Sequence, residues 1–261
     1  VDAPRNGENS KTARSFSIFN EALRSFYLIK AIAFDVDGTL YPNYQMYLCS
    51  LSSLISSPRL MYNFGKVRKE IRTLTYEGSL HDQQAKLLSR RMGIPQEKAA
   101  EIMEHHLYQR WESSFRCIRP FKYVRELLPA LRRAGLKLGV LSDFPIENKL
   151  RFLGLEEFFD VAVTSEATGY LKPHSIPFLR LAGRLETAPE EILYVGNSYH
   201  YDVLGASEVG MKTAWITRKK NHSSTADIVF SSYRELREIL FEKKGETLLV
   251  KGMENIPLQG F

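Results

Sequence analysis

The sequence predicts an α/β protein: a three-layer core around a parallel sheet, with a module of helices inserted after the first strand. Three observations carry this. An apolar run from Ala31 to Phe34 has the character of a buried strand and ends in two carboxylates, Asp35 and Asp37. From Pro42 to about Arg119 apolar residues recur at helical spacing, with no convincing strand among them. From Pro120 onward strand-like and helix-like segments alternate, the rhythm of a parallel α/β domain.

The bulk numbers set bounds. A chain of 261 residues has room for one large domain, or for a core plus a smaller module. Its 44% hydrophobic and 25% charged content is that of an ordinary globular protein. No run of apolar residues is long enough for a transmembrane helix, so no membrane partner is expected. The N-terminus, which starts at Val1, lacks the basic-then-apolar pattern of a signal peptide. Cys49 and Cys117 are too few for a disulfide framework and are not spaced as a metal knuckle, so a reducing cytoplasm is expected. The net charge of +6 favours anionic partners. With no block of consecutive basic residues, small phosphorylated molecules suit this charge as well as nucleic acid does, and no nucleic acid is expected.

In chain order, residues up to about Ser15 read as a loose polar arm, and Ser17 to Ile29 as a short helix leading into the strand. The inserted module reads as four helices. The first lies near Gln45 to Ile55, and the second runs from Pro58, a favoured first-turn residue, to about Tyr76. The third starts at a Ser79–Asp82 capping box and stops at Gly93; the fourth runs from Pro95 to about Trp111. Tyr44, Tyr47, Tyr62, Tyr76 and Trp111 are expected in the module's core. Its many bases, Arg59, Lys66, Arg68, Lys69, Arg72, Lys86, Arg90 and Arg91, read mostly as a solvated face, with one or two available to an anionic substrate. His81 is expected to face solvent, and the adjacent His105 and His106 point to different helix faces and do not make a metal pair.

Beyond Pro120 the spacing predicts a helix over Tyr123–Ala134 and a strand over Leu136–Leu141 that delivers Ser142. A helix over Ile146–Leu153 and a strand over Val161–Thr164 follow, then a helix over Ser175–Leu185. Thr187 with Glu190 resembles a capping box before the strand Ile192–Val195. The remaining segments are a helix over Asp202–Val209, strands over Lys212–Ile216 and Ile228–Phe230, and a helix over Tyr233–Phe241, with an unassigned tail.

Ligands of an open parallel sheet collect at the carboxyl ends of its strands. Here those ends carry Asp35/Asp37, Ser142 and Asn197/Asp202, and the loop after the Val161–Thr164 strand carries Lys172. An apolar strand gains nothing by delivering two carboxylates to its own end, because such a pair repels unless cations or donors meet it. A magnesium ion and a phosphate account for the pattern. Together the strand ends hold a carboxylate nucleophile, a second carboxylate, a hydroxyl, a cation for phosphate oxygens and an oxygen-rich set for magnesium.

The set Asp35-Val36-Asp37-Gly38-Thr39-Leu40, Ser142, Lys172-Pro173 and Gly196-Asn197-Ser198-Tyr199-His200-Tyr201-Asp202 resembles the four motifs of the haloacid dehalogenase superfamily, in the family's order. The likeness spans about Lys30 to Phe241, and the helical insertion resembles the mobile cap of the subfamily I members. The resemblance implies a Rossmann-like core (30–42 and 120–242), a helical cap (43–119), an N-terminal extension (1–29) and a tail (243–261). It implies that Asp35 is the nucleophile and Asp37 the general acid/base, with Ser142 and Lys172 catalytic and holding phosphate oxygens beside Gly38 and Thr39. It assigns the magnesium ligands to Asp35, Asp37, Asn197 and Asp202. Hydrolytic dehalogenases of the family carry an aromatic residue where this chain has Asp37, so phosphate-ester chemistry is implied instead.

Three departures stand out. Asn197 occupies a ligand position that usually holds Asp, leaving the metal site one charge short. Asp143 stands where Asn is commoner and reads either as a cap for the following helix or as a functional group. His174, where Asp is common, reads as a surface loop residue. The expected activity is a magnesium-dependent phosphatase of small metabolites. The alternatives are a phosphomutase of the β-phosphoglucomutase type and a binding protein whose site has decayed. The oligomeric state is not legible.

Overall fold

A computed structural model of the chain describes residues 29–49, 57–109, 115–218 and 224–241. The expected N-terminal arm and nearly all of the helix leading into the strand lie outside them, as do residues 50–55 of the first cap helix, Trp111 and the tail from 243.

Six strands form one parallel sheet: β1 (Ala31–Phe34), β2 (Lys137–Ser142), β3 (Val161–Thr164), β4 (Ile192–Gly196), β5 (Lys212–Ile216) and β6 (Ile228–Phe230), in the order β3-β2-β1-β4-β5-β6. β1 sits inside the sheet and all four of its residues are buried. Burial on both faces is why it reads as an unbroken apolar run and not as an alternating one. Its side chains still alternate. Ile32 and Phe34 join a core with Val124, Leu127 and Leu131 of α5 (Val124–Arg133), Leu150 of α6 (Glu147–Leu153) and Leu236 of α9 (Tyr233–Phe241). Ala31 and Ala33 face the opposite core, against Phe178, Leu181 and Leu185 of α7 (Ser175–Leu185) and Ala206 of α8 (Gly205–Glu208). These are the three layers.

Register fixes the site. Phe34 pairs with Val140 on one side and Val195 on the other. Asp35 and Asp37 therefore leave the sheet level with Ser142, two residues past Val140, and with Gly196, one past Val195. The Asp35 N–H extends the ladder by donating to the Val195 carbonyl at 2.9 Å.

The inserted segment holds α1 (Asn43–Cys49), α2 (Pro58–Ile71), α3 (Leu80–Met92) and α4 (Gln96–Ile102). Leu60, Phe64, Val67 and Ile71 line one face of α2 and meet Leu80, Leu88, Ala99, Met103 and Leu107, a core separate from the two that flank the sheet. Ser79 caps α3 by accepting the Asp82 N–H at 3.0 Å, and Gly93, at φ +70°, closes it.

Several expectations change. α2 stops at Ile71, five residues early, where Thr73 Oγ1 turns back to the Glu70 carbonyl at 2.8 Å. α4 ends at Ile102 and widens into a π-type turn over Met103–Gln109. A similar turn over Tyr199–Leu204 precedes α8, so the helix expected from Asp202 starts earlier. The Thr187–Glu190 capping box does not form: Thr187 Oγ1 donates to the Leu185 carbonyl, and Ala188 caps a short turn that starts at Pro189. Tyr44, Tyr47 and Tyr62 are not cap core but are each more than 60% exposed, because aliphatic residues of α2–α4 already fill that space. Cys49 and Cys117 are joined in a disulfide, with Cα atoms 6.4 Å apart. The cysteine count therefore gives no ground for a reducing compartment. Among the described residues no helix is long and apolar enough to cross a membrane.

Phe178 is fully buried, stands edge-on to Tyr194 at 5.1 Å, and occupies the space a side chain at Gly205 would need. Truncation to Ala opens a cavity under β4, so Phe178→Ala is expected to lower unfolding free energy by about 3–5 kcal/mol in urea denaturation.

Candidate active site

The loop after β1 is held by side chains from three other strand ends. Asp35 is buried. Its Oδ2 accepts the Thr39 hydroxyl at 2.7 Å, and its Oδ1 accepts Lys172 Nζ at 2.7 Å. The same ammonium donates to Asp202 Oδ1 at 2.6 Å, and Asp202 Oδ2 accepts the Ser198 N–H at 2.9 Å. Asp202 fits there because residue 196 is glycine: a Cβ on Gly196 would lie 2.3 Å from that of Asp202. Burial pushes the Asp35 carboxyl up to about 7; Lys172 opposes this, while Asp202 and Asp37 add to it. Burial would lower Lys172, but Asp202 and Asp35 hold its pKa well above the usual lysine value.

Gly38 turns the loop at φ +89°, in the left-handed region that favours glycine. A Cβ there would fall 2.1 Å from Asn197 Nδ2 and 2.4 Å from Asn43 Nδ2. The Asn197 side chain thus lies directly against the Asp37–Gly38 main chain, and the Asn197 main-chain carbonyl accepts Trp215 Nε1 at 3.0 Å.

Asp37 faces a different set of donors. Lys149 Nζ lies 2.6 Å from Oδ2 and 2.9 Å from Oδ1, Ser142 Oγ donates to Oδ2 at 3.0 Å, and the Tyr41 hydroxyl donates to Oδ1. Burial would raise this carboxyl, but Lys149 and the hydrogen bonds from Lys149, Tyr41 and Ser142 hold it below the usual carboxylate range. Lys149 and Tyr41 were not anticipated. The signal for Lys149 was present: a lysine within the helix whose Ile146, Leu150 and Leu153 are buried core residues.

The inserted helical segment meets the core beside this site through an ionic joint. Arg72 Nη2 contacts Asp143 Oδ2 at 2.5 Å, and its Nε donates to the Lys172 carbonyl at 2.7 Å. Arg68 Nη2 donates to the Asp143 carbonyl at 2.7 Å, and its Nη1 pairs with Glu166. Asp143 Oδ1 accepts the Lys172 N–H at 3.1 Å. Asp143 is therefore not a helix cap: Ile146 holds that position, and the aspartate is drawn to the two arginines and the Lys172 main chain. Arg68 and Arg72 likewise do not belong to a solvated face. His174 caps α7 through Nδ1 and stacks on Tyr170 at 4.0 Å.

Between cap and core lies a cavity of about 300 Å³. Phe115, Phe144 and Pro145 give it apolar walls, and Glu104, Tyr108, Gln109, Glu166 and Lys149 bring polar ends. His81 is exposed as expected but also lines this cavity.

The structure thus gathers Asp35, Asp37, Gly38, Thr39, Ser142, Lys172, Asn197 and Asp202 around one loop. The donor set suits a hard cation: the Asp35 carboxylate, the Asp37 carbonyl and the Asn197 amide are oxygen ligands of the kind magnesium takes. The raised Asp35 carboxyl, beside two other carboxylates, marks a place where added positive charge is stabilising. Among the described residues no group of three or more His, Cys, Asp or Glu is placed to hold a metal ion, so here a main-chain carbonyl and an amide would complete the set.

Burial would raise the Asp143 carboxyl, but Lys172, Arg68 and Arg72 hold it below the usual range. A depressed carboxyl contributes stability that is present above its unfolded pKa of about 3.9 and is lost as pH falls through the folded value. Asp143→Asn is expected to cost about 3 kcal/mol at neutral pH. The gap from wild type should close below about pH 4 in urea denaturation repeated across pH.

Comparison with known proteins agrees with this geometry. Residues 32–216 match the family model described as haloacid dehalogenase-like hydrolase. A glyceraldehyde 3-phosphate phosphatase of Methanopyrus kandleri is 33% identical over 240 residues, covering 82% of this chain and 98% of the relative. Pyrophosphatase PpaX of Bacillus cereus is 29% identical over 193 residues, 72% of this chain and 83% of that protein. Among solved structures, a HAD phosphatase from Thermococcus onnurineus is 25% identical, with a TM-score of 0.56 over 81% of this chain and 98% of that one. A 2-haloacid dehalogenase from Pseudomonas syringae shares the fold at 20% identity and a TM-score of 0.62, over 81% of this chain and 98% of its own. The parallel sheet, the four strand-end motifs and these relatives agree: the chain belongs to the haloacid dehalogenase-like hydrolase family, as a phosphatase-like hydrolase.

Proposed function

We propose that this chain is a magnesium-dependent phosphatase that hydrolyses small phosphorylated molecules through an aspartyl phosphate on Asp35. The observation that carries the reading is the pairing of two carboxylates at one strand end with two different environments: Asp35 against Lys172, and Asp37 against Ser142 and Lys149. Separate environments are how two carboxyl groups take separate roles.

In this reading Asp35 attacks phosphorus in line, the bond to the leaving oxygen breaks, and Asp37 delivers a proton to that oxygen. Water then attacks the aspartyl phosphate, Asp37 takes its proton, and inorganic phosphate leaves. The hydrogen bonds on Asp37 favour its ionised form, so the proton it delivers in the first half is one it takes over from the bound phosphate monoanion. Ser142, Thr39 and Lys172 hold phosphoryl oxygens, and Gly38 lets the main chain approach them. Asp35, the Asp37 carbonyl and Asn197 would hold magnesium, which when bound neutralises phosphoryl charge and favours the in-line geometry. Asp202 holds Lys172 through Oδ1 and the Ser198 N–H through Oδ2, and we assign it to the ion as a further ligand, directly or through water.

The size of the substrate follows from the cap. His81, Glu104, Tyr108, Gln109 and Phe115, of the segment read as the cap (43–119, over a core of 30–42 and 120–242), line the cavity, and closure of that segment would exclude water from it. A cavity of about 300 Å³ takes a small leaving group and not a folded protein. The similarity to phosphatases of a triose phosphate and of pyrophosphate supports substrates of that size.

With p-nitrophenyl phosphate and magnesium, Asp35→Asn is expected to lower kcat by at least about 10³-fold. Turnover that survives the substitution would refute the nucleophile assignment. Chelation with EDTA should abolish turnover in the wild type. Asn197→Asp restores a ligand charge and should tighten magnesium binding about tenfold by calorimetric titration; unchanged or weaker binding would remove Asn197 from the ligand set.

A further inference from the structure

Lys149 is a lysine in a buried place. Its helix contributes Ile146, Leu150 and Leu153 to the core, and Lys149 itself is only 5% exposed. Burying an ammonium costs several kcal/mol unless an anion meets it. Asp37 does so with both carboxylate oxygens, at 2.6 Å and 2.9 Å. The same Nζ stands 3.4 Å from Ser142 Oγ, and 5.2 Å and 5.3 Å from the ring centres of Phe115 and Phe144. Those two rings wall the cavity, and Lys149 is the sole Lys or Arg among the described residues that line it.

The position matters because of the charge a phosphate must meet. Asp35, Asp37 and Asp202 place three carboxylates around the loop. With Lys172 as their one ammonium they would carry two net negative charges and repel a phosphate dianion. Lys149 halves that excess, on the Asp37 flank where the Ser142 hydroxyl also stands. A lysine acts on phosphate as a point charge and needs no fork geometry.

We propose that Lys149 is a phosphate-binding residue, which with Ser142 takes phosphoryl oxygens on the Asp37 flank as Lys172 does on the Asp35 flank, and so lets the site bind a phosphoryl anion without a metal ion. This rests on the phosphatase reading and extends it to a group outside the four motifs. Asp37 then keeps its lysine partner while the phosphoryl group shares it. Asn197, which brings no negative charge, does not oppose the anion.

The test is calorimetric titration of the full chain with inorganic phosphate, in EDTA and again with magnesium. Wild type is expected to bind phosphate in EDTA, and Lys149→Met to weaken that binding by at least about tenfold. Lys149→Met strands the Asp37 carboxylate and risks misfolding. The same comparison is therefore made between Asp37→Asn and the Asp37→Asn/Lys149→Met double variant, where the same loss is expected. Equal phosphate affinity within either folded pair would overturn the proposal. Phosphate binding that appears only with magnesium would also overturn it, while leaving the phosphatase reading in place. No phosphate binding and no p-nitrophenyl phosphate hydrolysis, with or without magnesium, would remove both.

Discussion

The ammonium of Lys172, held between Asp35 and Asp202, is the interaction on which the rest of the site depends. All three groups are buried, with Lys172 3% exposed and Asp202 1%. None of them is tolerable in that interior alone, and removal of Lys172 would leave two carboxylates uncompensated. The contact ties the loop after β1 to the loop after β3 and to the turn after β4. The sheet brings these segments to one edge through parallel register, and the lysine holds them there. The Tyr194 hydroxyl stands 3.3 Å from the same ammonium, so the strand beneath is part of the support.

The cap is fastened to the same lysine through its main chain. Asp143 accepts the Lys172 N–H, and Arg72 of the cap binds both Asp143 and the Lys172 carbonyl. Docking of α2 is thereby coupled to the backbone that aims Nζ at Asp35. Arg68 adds a second anchor at Glu166, with its guanidinium 4.1 Å from the centre of the Phe144 ring. Tyr108 reaches Glu166 at 3.0 Å and Tyr76 reaches the Gly169 carbonyl, so the joint carries several hydrogen bonds besides its ion pairs.

Each reactive carboxylate has its own lysine, and the two pairs differ in balance. Asp35 shares Lys172 with Asp202 and lies near Asp37, and burial leaves its carboxyl raised. Asp37 has Lys149 together with Ser142 and Tyr41, and is lowered. Added positive charge is therefore most stabilising at Asp35.

The sheet and the loop chemistry were legible in the sequence because they follow from local rules. A strand buried on both faces must be apolar throughout, and glycine at Gly38 and Gly196 answers to close approach of side chains to the main chain. Helix limits were less legible where the chain ends a helix by means other than Gly or Pro, as at Ile71 and Ile102. The sequence by itself determined the α/β alternation, the inserted helices and the order of Asp35, Asp37, Ser142, Lys172, Asn197 and Asp202. Only the tertiary structure decided that Lys149 meets Asp37 across 112 residues, and that Arg72 meets the Lys172 carbonyl across 100. Those partners depend on how α6 is rotated on the sheet and how the cap is docked. No periodicity within one segment specifies either, because both are set by packing between segments.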